Sequence, residues 1–405
     1  MKRILPFLLA APIAVYAFAC SSSGSGSGTT TNNPDGGIST TNPDGSVVDP
    51  SGDGGNVTAE SSINPTTGVT VVSFSDTQAA VHGLTWVPSD KVFYAALPTS
   101  SDPFDGTTAT TVGKVVRINA DGTGNGILAG TNTTGSIFSA AFNPKTNKVM
   151  VIGTKEIVTL APTGTTPQTG TVFSSTYAGN LGNEDAGTAA TPFAGLNDIV
   201  LKKDGTAYVT EPYYPAGAPA TAFHRVYYVK ADGSAQAVAH YENNEGPNGI
   251  ALSPDEKTLY VVLTTPTVAD PGRNLPVYGE YPAIWRYTVN TDGSLTAGAK
   301  FVQVGTTKTA PTQLTKPDGL AVDISGNVYV ATLLGVIVYK PNGDVWGTIP
   351  VPEQPASLAW GGADLKTLYI GSSNDPCKLA EDPACNVKNL GSIYKATMQV
   401  TGIAR

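Results

Sequence analysis

Charged residues, histidine, cysteine and methionine are all scarce in this sequence of 405 residues. Asp, Glu, Lys and Arg together make up 14%, and there are only 3 His, 3 Cys and 3 Met. Nucleic-acid binding normally requires a basic patch, so the formal charge of −8 and the lack of a Lys/Arg cluster exclude that function. Three cysteines are too few for a disulfide scaffold. The 45 Gly, 30 Pro and 40% hydrophobic residues favour turn-rich β structure around a large core.

The beginning of the chain has the pattern of an export signal. Two basic residues precede an apolar segment, residues 4–19, which is shorter than the ~20 residues of a membrane span. Its junction with Cys20 resembles the cleavage box of bacterial lipoproteins, although Ala17 stands where that box usually has Leu. The resemblance implies removal of residues 1–19, lipid on Cys20 and anchoring in the cell envelope, with Ser21 favouring the outer membrane. An ordinary signal peptide cleaved at the end of the segment is the alternative.

The next segment has the composition of a tether. Residues 20–60 consist mainly of Gly, Ser, Thr, Asn and Asp, without Lys, Arg or aromatic residues. Such a segment cannot bury enough apolar area to offset its loss of conformational entropy. We therefore expect a disordered tether over residues 20–60 and one folded domain over residues 61–405.

The folded domain is internally repetitive. One strand–turn–strand unit recurs six times, usually continued by further strands such as 114–119 and 335–339. Its spacing is close to the ~40–50 residues of a four-stranded propeller blade. We therefore predict an all-β fold, a six-bladed β-propeller, with an open β-solenoid or two sandwiches as alternatives. A spare strand at 68–74 precedes the first unit, and the last unit ends one strand short at 392–400. Pairing of these two strands would close the ring and leave no open sheet edge.

One position of the repeat is unusually polar. In such a ring, the residue before the innermost strand of each blade is expected to face the central channel. Four of the six are polar side chains able to bind a metal, which packing alone does not require. Asn-Gly and Asp-Gly pairs are also ordinary turn formers, which is the simpler interpretation of any single pair. The six equivalent residues are His82, Phe138, Asn197, Asn248, Asp318 and Ala356.

Four runs of the repeat resemble the gluconolactonase pattern, at residues 195–213, 246–261, 317–331 and 361–370. Through them, residues 68–403 are similar to the family of regucalcin (senescence marker protein) and the gluconolactonases. Members of this family are six-bladed propellers with a divalent cation, usually Ca²⁺ or Zn²⁺, in the channel. The resemblance implies that Asn248 and Asp318 bind the cation, that Asn197 binds it or contacts substrate, and that Asp318 is the catalytic base or nucleophile. This chemistry is sensible, because a hard cation polarises a lactone carbonyl while a carboxylate deprotonates water.

Two positions depart from the family pattern. His82 stands where the family has a metal-binding Glu, and Gly195 stands where it has a substrate-binding Arg. Loss of a carboxylate should weaken Ca²⁺ binding, whereas an imidazole suits Zn²⁺ or another transition metal, so His82 is a fourth candidate ligand. Glu245 is a candidate to replace the missing charge, because it lies close before Asn248 in the chain.

Long connections on the same face of the ring suggest a lid over the channel mouth. Tyr213, Tyr214 and Arg273 are candidate substrate or lid residues, with ordinary solvated loops as the alternative. If Cys20 carries lipid, as its resemblance implies, Cys377 and Cys385 are left to form a disulfide in an oxidising compartment.

Two functions are consistent with these features. The first is a surface-tethered, metal-dependent hydrolase of lactones or related esters, favoured by Asn197, Asn248 and Asp318. The second is a non-catalytic propeller that binds a ligand or a protein through a degenerate metal site, favoured by His82 and Gly195. We expect a monomer that takes a small-molecule substrate or ligand and contacts the membrane only through its lipid anchor.

Overall fold

The described part of the chain consists of strands and turns and contains no helix. It divides into two compact units, residues 1–61 and 62–405. In the first unit, strand β1 (Thr30–Asn32) pairs antiparallel with β2 (Ile38–Thr40). Among the described residues, none belongs to a helix of the length and hydropathy that a membrane span requires. The computed structural model describes residues 30–32, 38–40, 69–72, 81–97, 114–121, 126–130, 137–162, 170–178, 190–212, 224–241, 246–264, 282–296, 298–305, 315–373 and 391–403.

The second unit contains six four-stranded antiparallel sheets, which are the blades of a propeller. In blades 1 to 5 the strands follow chain order from the innermost strand outward. Blade 1 comprises β4 (Gly83–Val87), β5 (Val92–Leu97), β6 (Lys114–Asn119) and β7 (Gly126–Gly130). Blade 2 comprises β8 (Ile137–Asn143), β9 (Lys148–Gly153), β10 (Ile157–Leu160) and β11 (Thr171–Ser174). Blade 3 follows a short ladder of β12 (Thr176–Tyr177) and β13 (Thr191–Pro192), and comprises β14 (Ile199–Leu201), β15 (Ala207–Glu211), β16 (His224–Val229) and β17 (Ala235–Tyr241).

Blades 4 and 5 repeat the same order, and blade 6 completes the ring. Blade 4 comprises β18 (Gly246–Leu252), β19 (Thr258–Thr264), β20 (Ala283–Thr288) and β21 (Ala299–Gln303). Blade 5 comprises β22 (Leu320–Val322), β23 (Val328–Thr332), β24 (Gly335–Tyr339) and β25 (Val345–Ile349). Blade 6 comprises β26 (Gln354–Gly361), β27 (Thr367–Ser373), β28 (Ile393–Thr397) and, as its outer strand, β3 (Val69–Val72). The predicted six-bladed all-β propeller is confirmed.

The ring is closed by the strand that precedes blade 1. Strand β3 pairs antiparallel with β28, with Val72 opposite Ile393 and Val69 opposite Ala396. The outer edge of β28 is therefore covered by an early part of the same chain. The expected closure of the last blade by the N-terminal strand is confirmed.

Neighbouring blades bury their apolar faces against each other, so the core is a ring of six clusters. Between blades 6 and 1, Trp86 stacks on Tyr369 with ring centroids 6.1 Å apart. Between blades 5 and 6, Tyr329 meets Trp360 edge-on at 5.2 Å. Full burial of one large apolar side chain contributes roughly 1.5–3 kcal/mol, so each seam contributes substantially to stability.

Tight turns with the pattern Asp-Gly-Ser or Asp-Gly-Thr join several of the strands. The Asp232 carboxylate accepts hydrogen bonds from the N–H and the hydroxyl of Ser234, at 2.9 and 2.7 Å. Gly233 between them has a φ of +86°, a conformation that favours glycine. Residues 204–206 and 292–294 repeat this arrangement. These turns account for part of the glycine abundance and fix how the strands pair.

The last described residues lie at the end of the ring where the innermost strands finish. Ile324 donates its N–H to the carbonyl of Thr401 at 3.0 Å, and Gly402 donates to the carbonyl of Leu365 at 2.8 Å. Ile403 then lines the central cavity together with residues of the innermost strands. The C-terminal segment therefore covers part of one end of the channel.

Candidate functional site

At the other end of the channel, every innermost strand begins with two consecutive residues that stand opposite one residue of the second strand. In blade 3, Asn197 donates its N–H to the Thr210 carbonyl at 2.9 Å, and Thr210 donates its N–H to the Asp198 carbonyl at 3.0 Å. Such a bulge changes the direction of the side chains that follow it. We call the six pairs the mouth turns: His82 and Gly83, Phe138 and Ser139, Asn197 and Asp198, Asn248 and Gly249, Asp318 and Gly319, and Ala356 and Ser357.

The mouth turns contact one another around the channel. A side chain on Gly83 of blade 1 would collide with the backbone of Ser139 in blade 2. A side chain on Gly249 of blade 4 would likewise collide with the Asp318 carbonyl of blade 5. Glycine is therefore required at both places by the close approach of two backbones.

Three of the four candidate metal ligands lie in consecutive mouth turns. Asn197, Asn248 and Asp318 belong to blades 3, 4 and 5. The hydroxyl of Thr210, opposite the Asn197 turn, donates to the Asn248 carbonyl at 2.7 Å. The mouth turn of Asn248 packs against the backbone of Asp318 through its second residue, Gly249. The fold thus brings these three turns side by side at the channel mouth.

The fourth candidate, His82, lies in the mouth turn of blade 1, on the opposite side of the ring from blade 4. It lines the central cavity. Its imidazole meets the buried ring of Phe138 edge-on, with centroids 6.2 Å apart. His82 is therefore held at the mouth by its neighbour in blade 2.

Asp198 is a site residue that we did not predict. Its Oδ1 accepts hydrogen bonds from the Ser139 hydroxyl at 2.7 Å and the Ile199 N–H at 2.8 Å, and its Oδ2 accepts the Ile250 N–H at 3.2 Å. Burial raises the pKa of this carboxyl to about 6, although the three hydrogen bonds act in the opposite direction. Its carboxylate connects blades 2, 3 and 4. The signal was present in the sequence, because Asp198 is the only acid among the second residues of the mouth turns, where the others are Gly or Ser.

A cavity of about 70 Å³ occupies the axis of the ring. Its lining at the mouth includes His82, Ser139, Asp198 and Ser357, whereas the predicted ligands Asn197, Asn248 and Asp318 are not among the residues that line it. Small-molecule sites usually measure roughly 300–1,000 Å³. The cavity is well below this range, so it does not itself hold a molecule the size of a sugar lactone.

A buried carboxylate supports the segment that leads to Asn197. Glu211 is 1% exposed, and its Oε1 accepts the N–H groups of Ala194 and Gly195 at 2.5 and 2.7 Å. Its Oε2 accepts the hydroxyl of Tyr227. Burial and the adjacent Glu211 carboxylate raise the pKa of Tyr227 well above its ordinary value, so this tyrosine remains a donor. The position of Gly195 is thereby fixed through its backbone N–H.

The residues at the mouth fit a divalent cation. The side-chain Oδ1 of Asn248 is buried and has no hydrogen-bond partner among the described residues. An unpaired buried acceptor is costly, and an amide oxygen is a ligand that a divalent cation would accept. Asn197 and Asp318, in the neighbouring mouth turns, are the other candidate oxygen donors, and His82 of blade 1 is the candidate nitrogen donor. Within the described ranges, no group of three or more His, Cys, Asp or Glu side chains lies close enough together to hold a metal ion.

Several predicted residues lie outside the described part of the chain. These are Tyr213, Tyr214, Glu245 and Arg273 of the lid, Cys20 of the anchor, and Cys377 and Cys385 of the disulfide.

Comparison with known proteins agrees with the fold and the repeat. The chain is 27% identical over 190 residues to a gluconolactonase of Zymomonas mobilis, covering 45% of this chain and 49% of that protein. It is 32% identical over 164 residues to a 6-deoxy-6-sulfogluconolactonase of Pseudomonas putida, covering 39% of this chain and 47% of that protein. The chain thus spans about half the length of the curated relatives it matches.

A solved structure shares the architecture. The calcium-binding protein regucalcin of Agrobacterium tumefaciens superimposes with a TM-score of 0.55 at 16% identity, over 82% of this chain and 97% of that one. At this identity the likeness establishes the fold. Residues 110–374 match the family model described as the SMP-30/gluconolactonase/LRE-like region. The chain belongs to the SMP-30/gluconolactonase/LRE-like family.

Proposed function

We propose that this protein hydrolyses lactones or related esters at the channel mouth with the help of a divalent cation. The observation that carries the proposal is the buried, unpaired Oδ1 of Asn248, beside the turn of the acid Asp318. Family membership supports a lactone hydrolase, and two relatives are a gluconolactonase and a 6-deoxy-6-sulfogluconolactonase. The combination favours a working site over a degenerate one.

The roles of the mouth residues follow from their chemistry. Asp318 is the only carboxylate among the four candidate ligands, so it is the group that takes a proton from the attacking water. Asn197 and Asn248 contribute neutral amide oxygens, and His82 contributes a nitrogen donor. When bound at these donors, a divalent cation supplies the positive charge that polarises the lactone carbonyl. The substrate approaches from outside, because the channel below is too small to hold it.

The experiment is a metal analysis combined with a lactone assay. The purified protein is analysed for bound metal, and a panel of aldonolactones is assayed before and after chelation. We expect chelator-sensitive hydrolysis that returns with Ca²⁺ or Zn²⁺ and is lost in Asp318→Asn. A protein without bound metal and without chelator-sensitive turnover would be the non-catalytic propeller of our alternative hypothesis.

The identity of the metal is tested by His82→Glu. This substitution restores the carboxylate that the family has at this position, so we expect Ca²⁺ affinity to rise and Zn²⁺ affinity to fall. The exposed His240→Glu is the matched control and should change neither affinity. If calcium titration shows no gain in His82→Glu, His82 does not occupy the position of the family's Glu.

We also propose that the protein is tethered to the cell envelope through lipid on Cys20. The export pattern and the tether composition support this location. Mass spectrometry of the N-terminal peptide from the producing cells tests it, because a diacylglyceryl thioether on Cys20 has a defined mass. An unmodified peptide that starts at Cys20 or Ser21 would support the ordinary signal peptide.

A further inference from the structure

Thr210 is unusual among the six residues that stand opposite the mouth turns. Each of these residues pairs with the backbone of both members of a turn. In five blades the residue is apolar or lacks a side chain, and only in blade 3 does it carry a hydroxyl. The six are Ala96, Ile152, Thr210, Val262, Ala331 and Gly371.

The hydroxyl of Thr210 joins the turns of blades 3 and 4. It accepts the N–H of Asp198 at 3.1 Å and donates its proton to the carbonyl of Asn248 at 2.7 Å. Thr210 is 0% exposed, so water cannot replace either bond. Because a hydroxyl has one proton, each direction is fixed by its partner: the amide can only donate and the carbonyl can only accept.

A second connection crosses the same seam. The Oδ2 of Asp198 accepts the N–H of Ile250 at 3.2 Å. The Asn248 turn is therefore held to blade 3 at two points: at its first residue, Asn248, through Thr210, and directly after the turn, at Ile250, through Asp198. Of these two contacts, only the one through Thr210 reaches the backbone of a candidate ligand itself.

We infer that Thr210 is a positioning residue, which sets the spacing between the ligand turns of Asn197 and Asn248. That Thr210 fixes the spacing of the two turns follows from these hydrogen bonds alone. That this spacing matters for metal binding rests on the proposed function. Groups that orient metal ligands typically contribute about 10- to 100-fold to metal affinity. We expect an effect of that size from the loss of one hydroxyl.

Two substitutions separate the hydroxyl from the shape of the side chain. Thr210→Val keeps the volume and removes both hydrogen bonds, whereas Thr210→Ser keeps the hydroxyl. Thr85→Val is the matched control, because Thr85 is also 0% exposed and its hydroxyl accepts the Phe142 N–H at 2.8 Å between blades 1 and 2. The control removes an equivalent interblade bond at a seam without the candidate asparagines.

The first measurement is hydrogen exchange of the full-length, metal-free protein. We expect Thr210→Val to speed exchange of the Asp198 amide and of the 246–252 segment by about tenfold each, because each of them loses one of the two hydrogen bonds of the hydroxyl. Thr210→Ser should behave as wild type, and Thr85→Val should leave both segments unchanged. Unchanged exchange in Thr210→Val, or an equal change in Thr85→Val, would overturn the inference.

The second measurement is calorimetric titration with Ca²⁺ and with Zn²⁺ alone. Thr210→Val should bind about 10- to 100-fold more weakly, while Thr210→Ser and Thr85→Val should bind as wild type does. Equal affinity of Thr210→Val and wild type would overturn the positioning role. If wild type itself binds neither metal, the proposed function fails, and hydrogen exchange still decides whether Thr210 sets the spacing of the turns.

Discussion

At the residue scale, the proposed cation site rests on one atom, the buried Oδ1 of Asn248. The fold buries this oxygen without a partner among the described residues, which costs about 1–3 kcal/mol. The cost is understandable if the oxygen is reserved for a ligand that is bound from solution.

This interpretation predicts an opposite effect of one substitution on stability and on binding. Asn248→Leu should raise the free energy of unfolding of the metal-free protein by about 1 kcal/mol, because it removes the unpaired acceptor. The same change should abolish Ca²⁺ and Zn²⁺ binding. Urea unfolding in chelator and calorimetric titration measure the two effects.

Asn143→Leu is the matched control for that prediction. Asn143 is equally an asparagine in an innermost strand, but its side chain accepts the Lys145 N–H at 3.0 Å and donates to the Gly205 carbonyl at 3.4 Å. Its replacement should therefore destabilise the protein by about 1–3 kcal/mol. If Asn248→Leu destabilises to the same extent, the Asn248 oxygen has a partner and our interpretation is wrong.

At the scale of the element, the sequence predicted the strands better than it predicted the direction of their side chains. The third strands of blades 1 and 5 have the predicted bounds, Lys114–Asn119 and Gly335–Tyr339, since apolar runs between turn residues define them. His82 lines the cavity as expected, but in blades 2, 3 and 6 the cavity is lined by Ser139, Asp198 and Ser357, each one residue after the position that we expected to face the channel. A bulge shifts the register of the side chains that follow it. Bulges depend on how two strands pair, and the local sequence pattern of one strand does not contain that information.

The Asp-Gly-Ser turns predict a response to acid. The bond from the Ser234 hydroxyl is the main reason why the pKa of Asp232 lies below its ordinary value, and Ser294 does the same for Asp292. A lowered pKa in the folded state stabilises the fold above the ordinary aspartate pKa of ~3.9, and this contribution is lost as the pH falls through the lowered value. When the pH is lowered from neutral to below ~3.9, the free energy of unfolding should therefore fall less in the double variant Ser234→Ala, Ser294→Ala than in wild type.

Carboxyl NMR titration and thermal midpoints across the same pH range measure this effect. The pKa values of Asp232 and Asp292 should rise towards the ordinary value in the double variant. Ser325→Ala is the control, because Ser325 binds Asp323 through its backbone N–H, at 2.9 Å, and the substitution keeps that bond. Unchanged pKa values in the double variant would show that the hydroxyls do not set them.

At the scale of the whole molecule, the stability of the ring depends on one four-residue strand. Val72 in β3 is 1% exposed and pairs with Ile393 of β28. A chain that begins at residue 75 lacks β3, whereas one that begins at residue 62 retains it. We expect the shorter chain to lose roughly 2–3 kcal/mol from the lost burial alone and to associate through the uncovered edge of β28.

Urea midpoints and light scattering of the two chains test this dependence, with the full-length protein as reference. The chain from residue 62 should match the full-length protein in its unfolding midpoint. Equal midpoints and a monomeric state for the chain from residue 75 would show that the last blade is stable with three strands.

The pairing that closes the ring also sets the order in which the molecule can be completed. Thr70 and Lys395 are 325 residues apart in sequence, yet the Thr70 hydroxyl bonds to the Lys395 carbonyl. During synthesis, β3 emerges before the six innermost strands and has to wait for β28, the last strand that the structure describes, before it finds its partner. Until then its backbone donors and acceptors are open to the wrong strands, and the contact is among the slowest to form because its loop is so long. A chain that stays unfolded until its C-terminus is available, as during export through a membrane, would avoid that period of exposure.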